Sequence, residues 1–265
     1  MQLITSKENN TIKEIKKLKD KKYRFEMNKF LIEGFRFVEE GLKSDFLVDK
    51  ILVKESVLDK FKDKFINYIE QYEDKIFVVG DSIFKSISAT DNSQGVLAVI
   101  KMSSKNITPK DGIYILVDKV QDPGNLGTII RTADSAGCAG VIIIKGTVDL
   151  YNEKTLRSTM GSIFNIDIIQ EDEGLEFTKT LIKNNYNLIC SSLQTDKNFY
   201  DVDLVKNSII AVGNEGNGVS DEVMKLATTM VKIPMLGSAE SLNVAIATSI
   251  MIYEGVRQRI LSGKY

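Results

Sequence analysis

The side chains best suited to chemistry gather in three loops rich in glycine and polar residues: 118–131 (DKVQDPGNLGTIIR), 213–218 (GNEGNG) and 234–243 (PMLGSAESLN). They supply amides, hydroxyls, carboxylates and the guanidinium of Arg131. They supply no imidazole, because the 265-residue chain has no histidine. The two cysteines, Cys138 and Cys190, lie far apart in sequence. Metal sites of imidazole and thiolate are therefore out of reach, as are Ser-His-Asp and Cys-His pairs, and no metal is expected. What remains is positioning chemistry, with the hard step left to a cofactor that brings its own reactivity.

The middle loop could pass for a dinucleotide fingerprint, but its glycines at 213, 216 and 218 run G-x-x-G-x-G, the reverse of G-x-G-x-x-G. No acid stands at the tip of the following apolar run, VKIP, and no Gly-Lys-Ser/Thr marks a phosphate loop. A nicotinamide oxidoreductase is disfavoured. Read as structure alone, the glycines would merely turn the chain, which leaves three such loops on one edge unexplained.

Loops of this kind need a parallel sheet beneath them, since ligands in such sheets bind at the carboxyl ends of strands. The sequence predicts one. Apolar runs at 113–118, 140–145, 163–169, 187–193, 209–212 and 231–234 read as strands. Helical patterns at 124–136, 152–159, 175–185, 220–227 and 243–260 fall between or after them. Continuous apolar strands each followed by a helix indicate a mostly parallel sheet with helices on both faces. Upstream, 11–42 reads as two helices, 49–53, 76–79 and 95–100 as strands, and 57–72 as helical, a smaller α/β unit. The polar stretch 101–111 (KMSSKNITPKD) is the best linker. The division expected is 1–105 and 106–265.

The quoted residues carry a family resemblance. N-L-G-T-I-I-R-T-A (125–133), G-N-E-G (213–216) and I-P-M…E-S-L-N-V-A (233–245) resemble, in order and spacing, the three motifs of the SpoU (TrmH) family, RNA 2′-O-ribose methyltransferases of the SPOUT class. The N-terminal I-T-S-K-x-N…I-K…K-L and F-L-I-E-G resemble that family's substrate-binding domain. The resemblance implies an α/β sheet threaded into a trefoil knot, S-adenosylmethionine as cofactor, and a homodimer whose contact includes Val244, Ile246, Ile250, Met251 and Tyr253. It implies cofactor contacts from Leu193, Gln194, Gly213, Asn214, Gly216, Ile233, Met235 and Leu242. Catalytic roles fall to Arg131, Asn125, Glu215, Ser241 and Asn243. Arg131 steers the ribose hydroxyl or acts as base, and steering suits a guanidinium that stays protonated. Glu215 is expected to hold Asn125 or Arg131. Ribosomal RNA is the favoured substrate, with transfer RNA, or a non-catalytic ribosome-assembly factor on the same fold, as alternatives.

The net charge of −1 looks unpromising for an RNA partner, but it is an average. Residues 1–30 carry nine basic and four acidic side chains, net +5, against −6 for the remainder. Such an arm fits phosphates, and Lys16, Lys17, Lys21, Lys22 and Arg24 are its expected contacts. The bland alternative is a solvated helix face. No apolar run approaches the ~18–20 residues of a membrane span, and MQLITSKENN lacks a hydrophobic signal core. Both favour a cytoplasmic protein.

Overall fold

A computed structural model describes residues 1–103, 107–192 and 195–264. The chain forms two compact units, 1–105 with 151–156, and 106–150 with 157–265. The expected boundary at 105/106 lies outside the described residues.

The first unit contains β1 (Gln2–Ile4), α1 (Asn10–Lys17), α2 (Lys21–Met27), β2 (Lys29–Glu33), α3 (Phe35–Lys43), β3 (Val48–Lys54), α4 (Leu58–Lys64), α5 (Ile66–Tyr72), β4 (Ile76–Val79), α6 (Asp81–Ile87) and β5 (Val96–Lys101). Its sheet runs β1-β4-β3-β5-β2, with β5 antiparallel to both β2 and β3. The stretch 11–42 is thus three helices and a strand rather than two helices. Phe30 and Ile32 alternate inward with period two, and Gly34, at φ +100°, turns the chain before α3 begins. The expected helix at 57–72 breaks at Phe65, whose φ of −106° and ψ of 21° are not helical.

The second unit contains β6 (Ile113–Val117), α7 (Pro123–Ser135), β7 (Gly140–Ile144), α8 (Glu153–Thr159), whose first residues group with the other unit, β8 (Ile168–Glu171), α9 (Glu176–Lys183), β9 (Asn187–Ser191), β10 (Ser208–Val212), α10 (Asp221–Met224), β11 (Thr229–Val231) and α11 (Val244–Leu261). Its sheet order is β11-β9-β10-β6-β7-β8, and every pairing is parallel. All residues of β6, β7 and β10 are buried, as their unbroken apolar runs require. Two strand expectations shift. The 163–169 run is a short 3₁₀ turn followed by β8, and β11 ends three residues before Pro234. Among the described residues no helix is long and apolar enough to cross a membrane.

The chain builds β6, β7 and β8 outward in one direction, then returns to lay β9 and β10 on the other side of β6. The reversal falls between β6 and β10. That is where an open parallel sheet leaves a crevice at its carboxyl edge, and the first two glycine-rich loops leave the sheet there.

Candidate functional site

The start of α7 is set by local rules. Asp122 caps it, its carboxylate accepting from the Asn125 N–H at 2.9 Å, and Pro123 occupies the first turn where an N–H is not needed. This fixes Asn125 at the helix entrance. From there the Asn125 amide donates to Glu215 Oε1 at 3.0 Å, and its Oδ1 accepts from Asn243 Nδ2, also at 3.0 Å. Asn243 meanwhile caps α11, its own Oδ1 accepting from Ala245 and Ile246 N–H at 2.9 and 3.3 Å. One line of hydrogen bonds therefore joins all three loops.

Glu215 is the acceptor at its end, taking further N–H bonds from Gln121 at 3.2 Å and Asp122 at 3.4 Å. Partial desolvation pushes its carboxyl up. The Asn125 amide and the backbone N–H groups of Glu215, Gln121 and Asp122 outweigh that, so it lies below the ordinary carboxylate range. An ionised acceptor with its lone pairs engaged is a clamp rather than a base.

The loop after β10 closes on itself. Asn214 and Gly218 exchange two backbone hydrogen bonds of 2.9 Å, and the Asn214 Oδ1 accepts from Gly216 and Asn217 N–H. Asn214 Nδ2 ties the loop to the Lys119 carbonyl at 3.0 Å. A Cβ on Gly213 would stand 2.0 Å from the Gly218 carbonyl carbon. The turn itself thus requires glycine here, before any ligand is considered. Behind it sits Asp118, fully buried, with Oδ2 accepting from Ser220 N–H at 2.6 Å. Sequence reasoning missed Asp118. Its one signal is a carboxylate following five apolar residues at the end of a strand.

These loops wall a cavity of about 610 Å³. Of the expected cofactor contacts, Gly213, Asn214, Gly216, Ile233, Met235 and Leu242 all line it, together with Glu215, Ser241 and Asn243. Leu193 and Gln194 lie outside the described residues. Also on the wall, and unforeseen, are Ser191, Ser192, Val219, Met224 and Lys232, the last paired with Asp196 at 2.9 Å. Ser191 ends β9 and Ser192 follows it, so the strand end was the available signal.

Arg131 stands apart. Six positions beyond Asn125, it lies about two-thirds of a turn round α7 and does not line the cavity. It is exposed, and among the described residues its guanidinium has no polar partner. Glu215 therefore holds Asn125, not Arg131. Of the expected α11 contact residues, Val244 and Met251 are buried in the chain's own core, while Ile246 and Tyr253 are each 51% exposed.

In the first unit Lys16, Lys17, Lys21 and Lys22 are exposed. Arg24 is a correction. It is 6% exposed, and its Nη1 donates to the Leu18 and Lys19 carbonyls at 2.9 and 2.7 Å. It closes the end of α1 and offers nothing to a phosphate.

Comparison with known proteins adds independent findings. Residues 112–253 match the SpoU rRNA Methylase family, and residues 9–98 match the MRM3-like substrate binding domain. The chain is 36% identical over 253 residues to the 23S rRNA (guanosine(2553)-2′-O)-methyltransferase RlmP of Bacillus subtilis, covering 96% of this chain and 98% of that protein. Its fold resembles an AdoMet-bound rRNA methyltransferase from Sinorhizobium meliloti, with TM-score 0.81, 30% identity and 97% of each chain covered. It also resembles the AdoMet complex of the SpoU methyltransferase AviRb from Streptomyces viridochromogenes, with TM-score 0.84, 26% identity, and 95% and 98% covered.

Proposed function

The chain belongs to the SpoU rRNA methylase family, and on that premise we propose how its own residues carry out the reaction. It is an S-adenosylmethionine-dependent RNA 2′-O-ribose methyltransferase. The observation that carries the reading is the hydrogen-bonded line Glu215–Asn125–Asn243 at the cavity wall. It welds three loops, far apart in sequence, into one rigid rim.

The cavity fits the cofactor. Its volume lies within the ~300–1,000 Å³ range of small-molecule sites. Ile233, Met235 and Leu242 give apolar walls for a flat ring system, and Gly213 to Gly218 present backbone polar groups. When bound, S-adenosylmethionine supplies an electrophilic methyl group on a sulfonium that departs as a thioether. The chain's residues do the rest. Gly213, Ile233 and Leu242 hold the cofactor through backbone groups, and Asn125 and Glu215 fix the rim. Ser241 and Asn243 bind the ribose and phosphate of the RNA. Arg131, permanently protonated, grips a phosphate and steers the hydroxyl, whose proton is lost to solvent as its oxygen takes the methyl group.

Ribosomal RNA is the proposed substrate, in preference to transfer RNA. The Bacillus subtilis relative, matching along 96% of this chain, is an enzyme of 23S rRNA. The first unit, with Lys16, Lys17, Lys21 and Lys22, grips the RNA, and the second does the chemistry. The loops after β10 and β11 form the knotted part of the thread. Two copies pair through the outward face of α11, where Ile246 and Tyr253 are exposed, and the enzyme works in the cytoplasm.

The test is incubation with labelled S-adenosylmethionine and ribosomal or transfer RNA from a strain lacking the gene, followed by nuclease digestion and mass spectrometry. Label on the ribose of one ribosomal nucleotide is expected. Label on a base sinks the reaction class, and label on transfer RNA alone sinks the substrate assignment.

A further inference from the structure

The lysines of the first unit are interleaved with aromatic rings at the elbow between α1 and α2. Lys17 Nζ lies 5.5 Å from the centre of the Tyr23 ring, and Lys22 Nζ lies 5.8 Å from it. Lys21 Nζ lies 5.8 Å from the centre of the Phe25 ring, and Phe25 is 48% exposed. The elbow is locked from beneath. Asp20 caps α2, accepting from Lys22 N–H at 2.8 Å, and Arg24 closes α1 on the Leu18 and Lys19 carbonyls. Ile15 and Leu18 anchor it in the core. The outward face thus carries ammonium groups over aromatic rings, with Lys22 also 3.8 Å from the Glu26 carboxylate.

A double helix has little use for the rings, because its bases are already stacked on one another and it is met through its phosphates, 2′-hydroxyls and groove edges. An unpaired nucleotide suits both parts of the array, laying its base on a ring while its phosphate meets the adjacent ammonium. We propose that this elbow is a stacking platform for unpaired bases of the RNA substrate, with Phe25 as the principal ring and Tyr23 the second. The proposal rests on the RNA-methyltransferase reading and deepens it. The lysines give affinity that depends on salt, while the rings select single-stranded over duplex segments.

The experiment measures binding of the full chain to a 12-nucleotide single strand carrying 2-aminopurine and to a duplex of the same length, across a salt series. Phe25→Ala is expected to weaken single-strand binding by about 5- to 100-fold and abolish the 2-aminopurine quench. The slope of log affinity against log salt and the duplex affinity should not change. Phe25→Trp should retain binding and quench. Unchanged single-strand affinity in Phe25→Ala, or equal losses on both RNAs, overturns the platform. If the wild-type chain binds neither RNA at low salt, or puts no methyl group on ribosomal RNA, it is the underlying reading that fails. A platform failure leaves that methyl transfer detectable in the wild type, so the two failures are distinct.

Discussion

Arg131 and Glu215 illustrate how little of a catalytic role is visible in residue type alone. Both belong to the motifs, yet one is committed to internal bonds and the other to none among the described residues. Arg131→Ala should therefore leave cofactor affinity within about twofold while lowering single-turnover methylation by 100-fold or more, the scale of losing one preorganised charge at a reacting centre. Full turnover in that variant removes Arg131 from the mechanism. Glu215 behaves differently, because its carboxyl lies below the ordinary range. A depressed carboxylate contributes stability that is present above its unfolded pKa and lost as pH falls through the folded value. Between pH 6 and 8 its charge does not change, so Glu215 should put no rising limb on the rate profile there. Glu215→Gln should lower the rate at every pH in that window by a constant factor. A rate limb that disappears only in Glu215→Gln would instead assign it a proton-transfer role.

At the scale of elements, the turn after β10 is where geometry leaves least room. Gly213→Ala places a methyl 2.0 Å from backbone atoms that cannot swing aside, so the loop must open. A loss of about 2–4 kcal/mol in stability is expected, with cofactor affinity falling alongside it. An unchanged melting temperature by calorimetry refutes the steric argument. The glycine is legible in the sequence as a cofactor contact, and the structure adds a nearer reason for it, the turn itself. The second unit's strands were legible because burial on both faces leaves unbroken apolar runs, as in IYILV and SIIAV. β2 was lost because Phe30 and Ile32 sit beside α3, whose helical period in Phe35, Val38 and Leu42 dominates any window that spans both. Arg24 was misassigned for a similar reason. Basic residues count equally in a charge tally, and only the fold shows one guanidinium turned onto two carbonyls. Salt dependence separates these roles. Neutralising Lys16, Lys17, Lys21 and Lys22 together should flatten the salt slope of RNA binding. Arg24→Ala should lower stability by roughly 1–3 kcal/mol through unpaired carbonyls and leave the slope unchanged.

At the scale of the whole molecule, the position of Arg131 becomes a question about assembly. Arg131 is exposed on α7 and off the wall of its own chain's cavity, so whether it serves its own cavity or a second copy's is a matter for experiment. The exposed Ile246 and Tyr253 on α11, the helix that packs against α7 through Thr132 and Ser249, lie on the face proposed to pair. If the pairing brings Arg131 of one copy to the other's cavity, two inactive variants should complement each other. Chains with Arg131→Ala keep an intact cavity, and chains with Gly213→Ala keep an intact arginine. Unfolding and refolding an equal mixture gives half mixed dimers, each with one complete site, so roughly a quarter of wild-type sites should return. If Arg131 serves its own cavity, no mixed dimer contains a complete site and no activity returns. A monomer by sedimentation at working concentration would remove the dimer altogether and leave Arg131 to its own chain's site. The mixture therefore separates a site completed by a second copy from one completed within its own chain, which neither single variant can do.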